Sequence, residues 1–201
     1  MVGFVLELHL PFFLILLALA FATYFLIDFI FKKNRRTAID YSIHYSFIFY
    51  LLCLIKFVFF PIAIYYHPEL VVSSSYVQLI PFKSIAEAIN NKNYIQIFGN
   101  IILLMPLSVY WTILNRRAKS FRYSLFFGFV ITFTIELIQL LIDYVTHFSN
   151  KYFDVDDLIL NTFGFVLGWF LAKILAKKLN EHGISTAFIK QEDRYKEKII
   201  S

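Results

Sequence analysis

Five long apolar stretches dominate the chain, separated by short polar breaks. They cover residues 10–31, about 41–65, about 94–114, about 123–144 and about 155–175. Each is close to the ~20 residues that a helix needs to cross a bilayer. Polar positions are rare inside these stretches, and where they occur they recur at helical spacing. In the last stretch Asp157, Asn161, Gly164 and Gly168 follow at steps of four, three and four, so they share one helix face. In the fourth, Glu136, Gln139 and Asp143 do the same. The third carries Asn100 just after Gly99, and Pro106 near its middle. A transmembrane helix tolerates that proline where neighbours satisfy the freed backbone groups. Between the second and third stretches, residues 66–93 form a mostly polar connection in which Ile85, Ala88 and Ile89 predict a short amphipathic turn at the interface.

Composition agrees with the pattern. Of 201 residues, 59% are hydrophobic and 16% charged, and the mean hydropathy is +0.67. A soluble domain averages about 45–50% apolar and about 25% charged. The predicted fold class is therefore all-α: a polytopic transmembrane helix bundle of about five spans in the cell membrane. The first span is too long for a signal-peptide core, and no small-residue cleavage site follows it. Three segments are expected: two N-terminal helices over 1–75, a core of three helices and an outer loop over 76–175, and a charged tail over 176–201.

Charge sets the predicted orientation. Lys32, Lys33, Arg35 and Arg36 follow the first span, and Arg116, Arg117, Lys119 and Arg122 follow the third. The positive-inside tendency makes both clusters cytoplasmic, with the N-terminus outside and the C-terminus inside. The net charge of +5 is too modest and too divided to indicate nucleic-acid binding. Cys53 is the single cysteine, so no intrachain disulfide forms. Lys56 lies within the second span and is expected to snorkel to water or to pair with a buried acid.

Depth brings the polar residues together. At ~1.5 Å per residue, Asn100, Glu136 and Asn161 each lie roughly 9–12 Å inside the outer boundary of their spans. Gln139 and Asp157 lie a turn nearer the surface, and Asp143, Asp154 and Asp156 near the rim. Gly99, Gly164 and Gly168 allow close helix approach. The pattern predicts an acidic pocket that opens outward. In one reading Glu136 is structural, bonded by Asn100, Asn161 or Gln139. In the other, these residues bind a cation, a metal or a polar lipid headgroup. Asp156 is one residue off the stripe and suits a helix N-cap.

Other chemistries find little support. His9, His44, His67, His147 and His182 lack the paired spacing of a zinc site. There is no glycine-rich phosphate loop and no serine nucleophile motif. Carboxylates and water suit Mg²⁺ or Ca²⁺ without establishing either, so no cofactor is assigned. A proton-coupled carrier using Glu136 and Lys56 is disfavoured by the lack of an internal repeat.

Four blocks occur in order: Leu79-Ile80-Pro81-Phe82-Lys83-Ser84-Ile85, Gly99-Asn100-Ile101-Ile102-Leu103-Leu104-Met105-Pro106-Leu107, Glu136-Leu137-Ile138-Gln139, and Phe153-Asp154-Val155-Asp156-Asp157-Leu158-Ile159-Leu160-Asn161-Thr162-Phe163-Gly164. Together they resemble the VanZ-like membrane proteins over roughly residues 76–175. Two positions depart from that pattern. Lys151 stands where the family usually has arginine, and Ser108 where it often has glycine. A lysine keeps the charge but loses bidentate recognition of phosphate or carboxylate. The resemblance implies an integral membrane protein of a family whose best-known member lowers susceptibility to the glycopeptide teicoplanin, with no reaction attached. The expected function is binding of a lipid or amphiphile in the outward acidic pocket through Asn100, Glu136, Gln139, Lys151, Asp154, Asp157 and Asn161. Expected partners are membrane lipids and a lipid-linked cell-wall precursor or lipoglycopeptide. The alternative is a metal-assisted hydrolase or transferase acting on a lipid-linked phosphate.

Overall fold

Proline sets the main departure from the predicted spans. The second helix stops at Phe59, short of residue 65, because Pro61 has no N–H to extend the ladder and restricts the residue before it. The chain beyond it forms a short strand instead. The structure, a computed structural model, describes residues 3–31, 38–64, 76–115, 120–148 and 150–181. The basic clusters at 32–36 and 116–119, the connection at 66–75 with its His67-Pro68 break, and the tail at 182–201 lie outside the described residues.

In chain order the elements are β1 (Phe4–Leu6), α1 (Leu10–Phe31), α2 (Ala38–Phe59), β2 (Ile62–Ile64), β3 (Val77–Gln78), α3 (Lys83–Asn90), α4 (Tyr94–Leu114), α5 (Phe121–Thr146), β4 (Phe153–Asp154) and α6 (Val155–Glu181). Five of the helices, α1, α2, α4, α5 and α6, are long and apolar enough to cross a membrane. α3 is the short amphipathic helix expected before the third span. α6 continues past residue 175, and its last turns carry Lys177 and Lys178, cations that suit a helix C-terminus.

Met1–Leu79 with Ile135–Asp154 form one compact unit, and Ile80–Thr134 with Val155–Ser201 form a second. In the first unit β1 and β2 pair antiparallel, with Val5 opposite Ala63. β3 and β4 pair in parallel, with Gln78 opposite Asp154. Aromatic rings join α1 to α2. Phe13 meets Phe49 edge-on at 6.3 Å, Phe21 meets Tyr45 at 4.9 Å, and Tyr24 stacks on His44 at 5.5 Å. The Tyr41 hydroxyl donates to Asp28 Oδ2 at 2.7 Å, which gives that acid a partner at the end of α1. Lys56, expected to snorkel or to pair with an acid, has its Nζ 5.4 Å over the Phe13 ring, a cation–π contact worth ~0.5–2 kcal/mol.

The second unit is packed by backbone approach. A side-chain carbon at Gly164 would land on the Ile101 carbonyl, and one at Gly168 on the Met105 carbonyl. Only glycine lets α6 lie this close to α4. Gly99 does not act this way, since no atom lies within 4 Å of the corresponding position. On α5, Gly128 makes room for the fully buried Phe165 ring. Trp111 of α4 stacks on Phe127 of α5, with centroids 3.7 Å apart. α3 turns Ser84 and Ala88 inward and leaves Phe82 and Ile89 exposed.

Candidate functional site

The start of α6 is where the second unit gathers its polar side chains. Asp156 is wholly buried. Its carboxylate caps α3, accepting from the Phe82 N–H at 2.5 Å through Oδ1 and from the Ile85 N–H at 3.0 Å through Oδ2. These amide groups lie at the N-cap and in the first turn of α3, where the N–H groups have no partners within the helix. Phe82 holds the cap position at φ 66° and supplies no side-chain bond of its own. The capping role expected of Asp156 thus falls on a helix distant in sequence. Next to it, Asp157 Oδ1 accepts a hydrogen bond from Asn100 Nδ2. That bond ties α6 to α4 about two turns before the Gly164 contact. Asn161 is 3% exposed, and its Oδ1 has no hydrogen-bond partner among the described residues.

The first unit holds the other candidates. Glu136 and Asp154 are each 1% exposed. The Asp154 N–H donates to Glu136 Oε2 at 3.1 Å, so the helix acid is fixed to strand β4. Gln139 Nε2 donates to the Val58 carbonyl at 3.0 Å, and Lys151 Nζ to the Phe57 carbonyl at 2.8 Å. Both carbonyls belong to the last turn of α2, which intrahelical bonds leave unfilled. Gln139 and Lys151 therefore cap α2, and the lysine charge also suits the helix dipole.

A further residue carries more of this unit than its sequence position suggested. Asn150 pairs with the backbone of Ala63 in both directions: its Oδ1 accepts from the Ala63 N–H at 2.6 Å, and its Nδ2 donates to the Ala63 carbonyl at 3.2 Å. Asp143, fully buried, holds the same loop by accepting from the Asn150 and Lys151 N–H groups at 2.9 and 3.2 Å. No periodic signal marks Asn150, because it lies in a loop and its partner is far away in sequence. Among the described residues, no three His, Cys, Asp or Glu side chains converge as a group able to hold a metal ion.

The profile of the VanZ/LLP1 family matches residues 47–176. The chain belongs to the VanZ/LLP1 family. No curated protein and no solved structure matches it. With five apolar helices, this VanZ/LLP1 member is a multi-pass membrane protein whose spans meet membrane lipid. The match begins within α2, earlier than the blocks that carry the resemblance. It thereby includes Phe57 and Val58, the two residues whose carbonyls Lys151 and Gln139 cap. All seven candidate site residues fall inside it.

Proposed function

We propose that this VanZ/LLP1 protein is a cell-envelope binder of an amphiphile, a lipid-linked wall precursor or a lipoglycopeptide, and that it lowers susceptibility to teicoplanin. The observation that carries this reading is Glu136, a carboxyl buried inside a membrane span, one oxygen of which accepts the Asp154 N–H. An amide would accept that bond equally well. An acid at such a position costs about 2.5–3.5 kcal/mol on insertion scales, so its presence there favours a use for the acid itself.

In this reading Glu136 and Asp154 recognise a polar or cationic group of the ligand, and Lys151 faces a ligand phosphate or carboxylate. Gln139 positions the end of α2. In the second unit Asn100, Asp157 and Asn161 act as a separate set of contacts. The acids face the outer side, with the N-terminus outside and the C-terminus inside. In a Cys53→Ala background, an impermeant maleimide then labels Tyr152→Cys in whole cells and leaves Arg122→Cys unlabelled.

The decisive variant is Glu136→Gln. Cells producing the wild-type chain are expected to tolerate several-fold more teicoplanin than cells without it. The variant, present at equal membrane level, is expected to return them to the baseline. Equal protection by the variant would retire the reading.

A further inference from the structure

The second unit has a groove that the acids do not touch. It has a volume of about 470 Å³ and runs between α5 and α6, from Phe121 and Val166 to Phe129 and Val155. Leu125 and Leu158 are among its lining residues, and Thr162 supplies the only polar side chain. Along α6 its length is roughly 16 Å by helix rise. Both helices are membrane spans, and Phe129 and Phe163 of the groove's own lining are exposed, so the groove opens onto the lipid-facing surface.

Its Phe121 end is chemically distinct. The Phe121 ring meets the Trp169 ring edge-on at 5.5 Å, and Lys173 Nζ lies 5.1 Å over that Trp169 ring. Arg122, exposed, is the next residue along α5. Among the described residues, neither Arg122 nor Lys173 forms an ion pair. An aromatic pair with two uncompensated cations at the end of an apolar channel matches a phospholipid: tail in the channel, phosphate at the cations.

We propose that this groove is a binding site for one anionic phospholipid, its acyl chain between α5 and α6 and its phosphate held by Arg122 and Lys173. The apolar channel alone would accept any tail. The two cations select the charge, because basic residues beside transmembrane helices attract anionic headgroups. The site is independent of Glu136 and Asp154, so either proposal can fail without the other.

The test uses the full chain reconstituted in phosphatidylcholine vesicles. A small fraction of phosphatidylglycerol carries a photoreactive diazirine near the end of its acyl chain, and labelled peptides are mapped by mass spectrometry. A matched experiment puts the label on phosphatidylcholine. Adducts at Leu125 and Leu158 are expected to be roughly tenfold more abundant with the anionic lipid, as two cations near the headgroup imply. Adducts at Phe25, exposed on α1, are expected to be the same for both lipids. Arg122→Gln combined with Lys173→Gln should remove the excess at the groove and leave labelling of Phe25 unchanged. Leu125→Trp, which fills the channel, should cut groove labelling by both lipids. Equal groove labelling by the two lipids in the wild-type chain overturns the site, whatever the variants do.

Discussion

Each unit is held together internally, and the two by different means. The second is built on backbone contact: Gly164 and Gly168 of α6 rest on α4 carbonyls, and two neighbouring carboxylates, Asp156 and Asp157, bond α3 and α4. The first is built on rings and on side-chain bonds to backbone, namely the aromatic pairs of α1 and α2, the capping of α2 by Gln139 and Lys151, and the Asn150 pairing with Ala63. The contrast shows in the helices themselves. Some 39% of the α6 span is buried against 6% of the α1 span, although α1 is the more apolar. In a membrane protein hydrophobicity does not identify the interior, because lipid is as apolar as leucine. Small and polar residues do.

Substitutions can break that contrast. The largest effect is expected at the α4–α6 contact. Gly164→Leu should destabilise the second unit by about 3 kcal/mol or more, since the added atoms meet backbone that cannot move aside. Gly99→Leu, in open space, should stay within about 0.5 kcal/mol. Thermal unfolding of the purified protein in detergent measures both. A Gly164→Leu protein as stable as the wild type would mean the helices are not in backbone contact.

Next comes Asn150→Ala in the first unit. It leaves the Ala63 N–H and carbonyl without their side-chain partner and should cost about 1–3 kcal/mol. Faster hydrogen exchange at Ala63 is the specific readout. Asp156→Asn should cost about 1–2 kcal/mol, because one carboxylate oxygen becomes an NH₂ group facing an N–H donor of α3. The smallest effect is expected for Lys151→Met, about 0.3–1 kcal/mol from lost capping at the end of α2. A larger loss there would show that the lysine carries more of the first unit than its cap explains.

The fold could be read from the chain because spans announce themselves by length and apolarity. α1 and α4 begin and end where the pattern places them. The stripe on α6 also announced its packing, since Gly164 and Gly168 share a face with Asp157 and Asn161. The strands did not show, as three-residue pairings such as β1 with β2 carry no period of their own. The partners of the acids were equally hidden. Asp156 was expected to cap a helix, but the spacing of residues along one helix cannot tell which other helix its carboxylate reaches. The roles of Asn150, Gln139 and Lys151 depend on carbonyls and amides of distant residues, and backbone groups leave no mark on a side-chain pattern.

The central claim is a division of labour among buried acids: Asp156 holds the fold, whereas Glu136 is kept for a ligand. The most direct test measures thermal stability and teicoplanin susceptibility together for Glu136→Gln and Asp156→Asn. The account predicts that Glu136→Gln keeps the wild-type unfolding temperature and loses protection, while Asp156→Asn unfolds at a lower temperature. A Glu136→Gln protein that unfolds early yet still protects would contradict it.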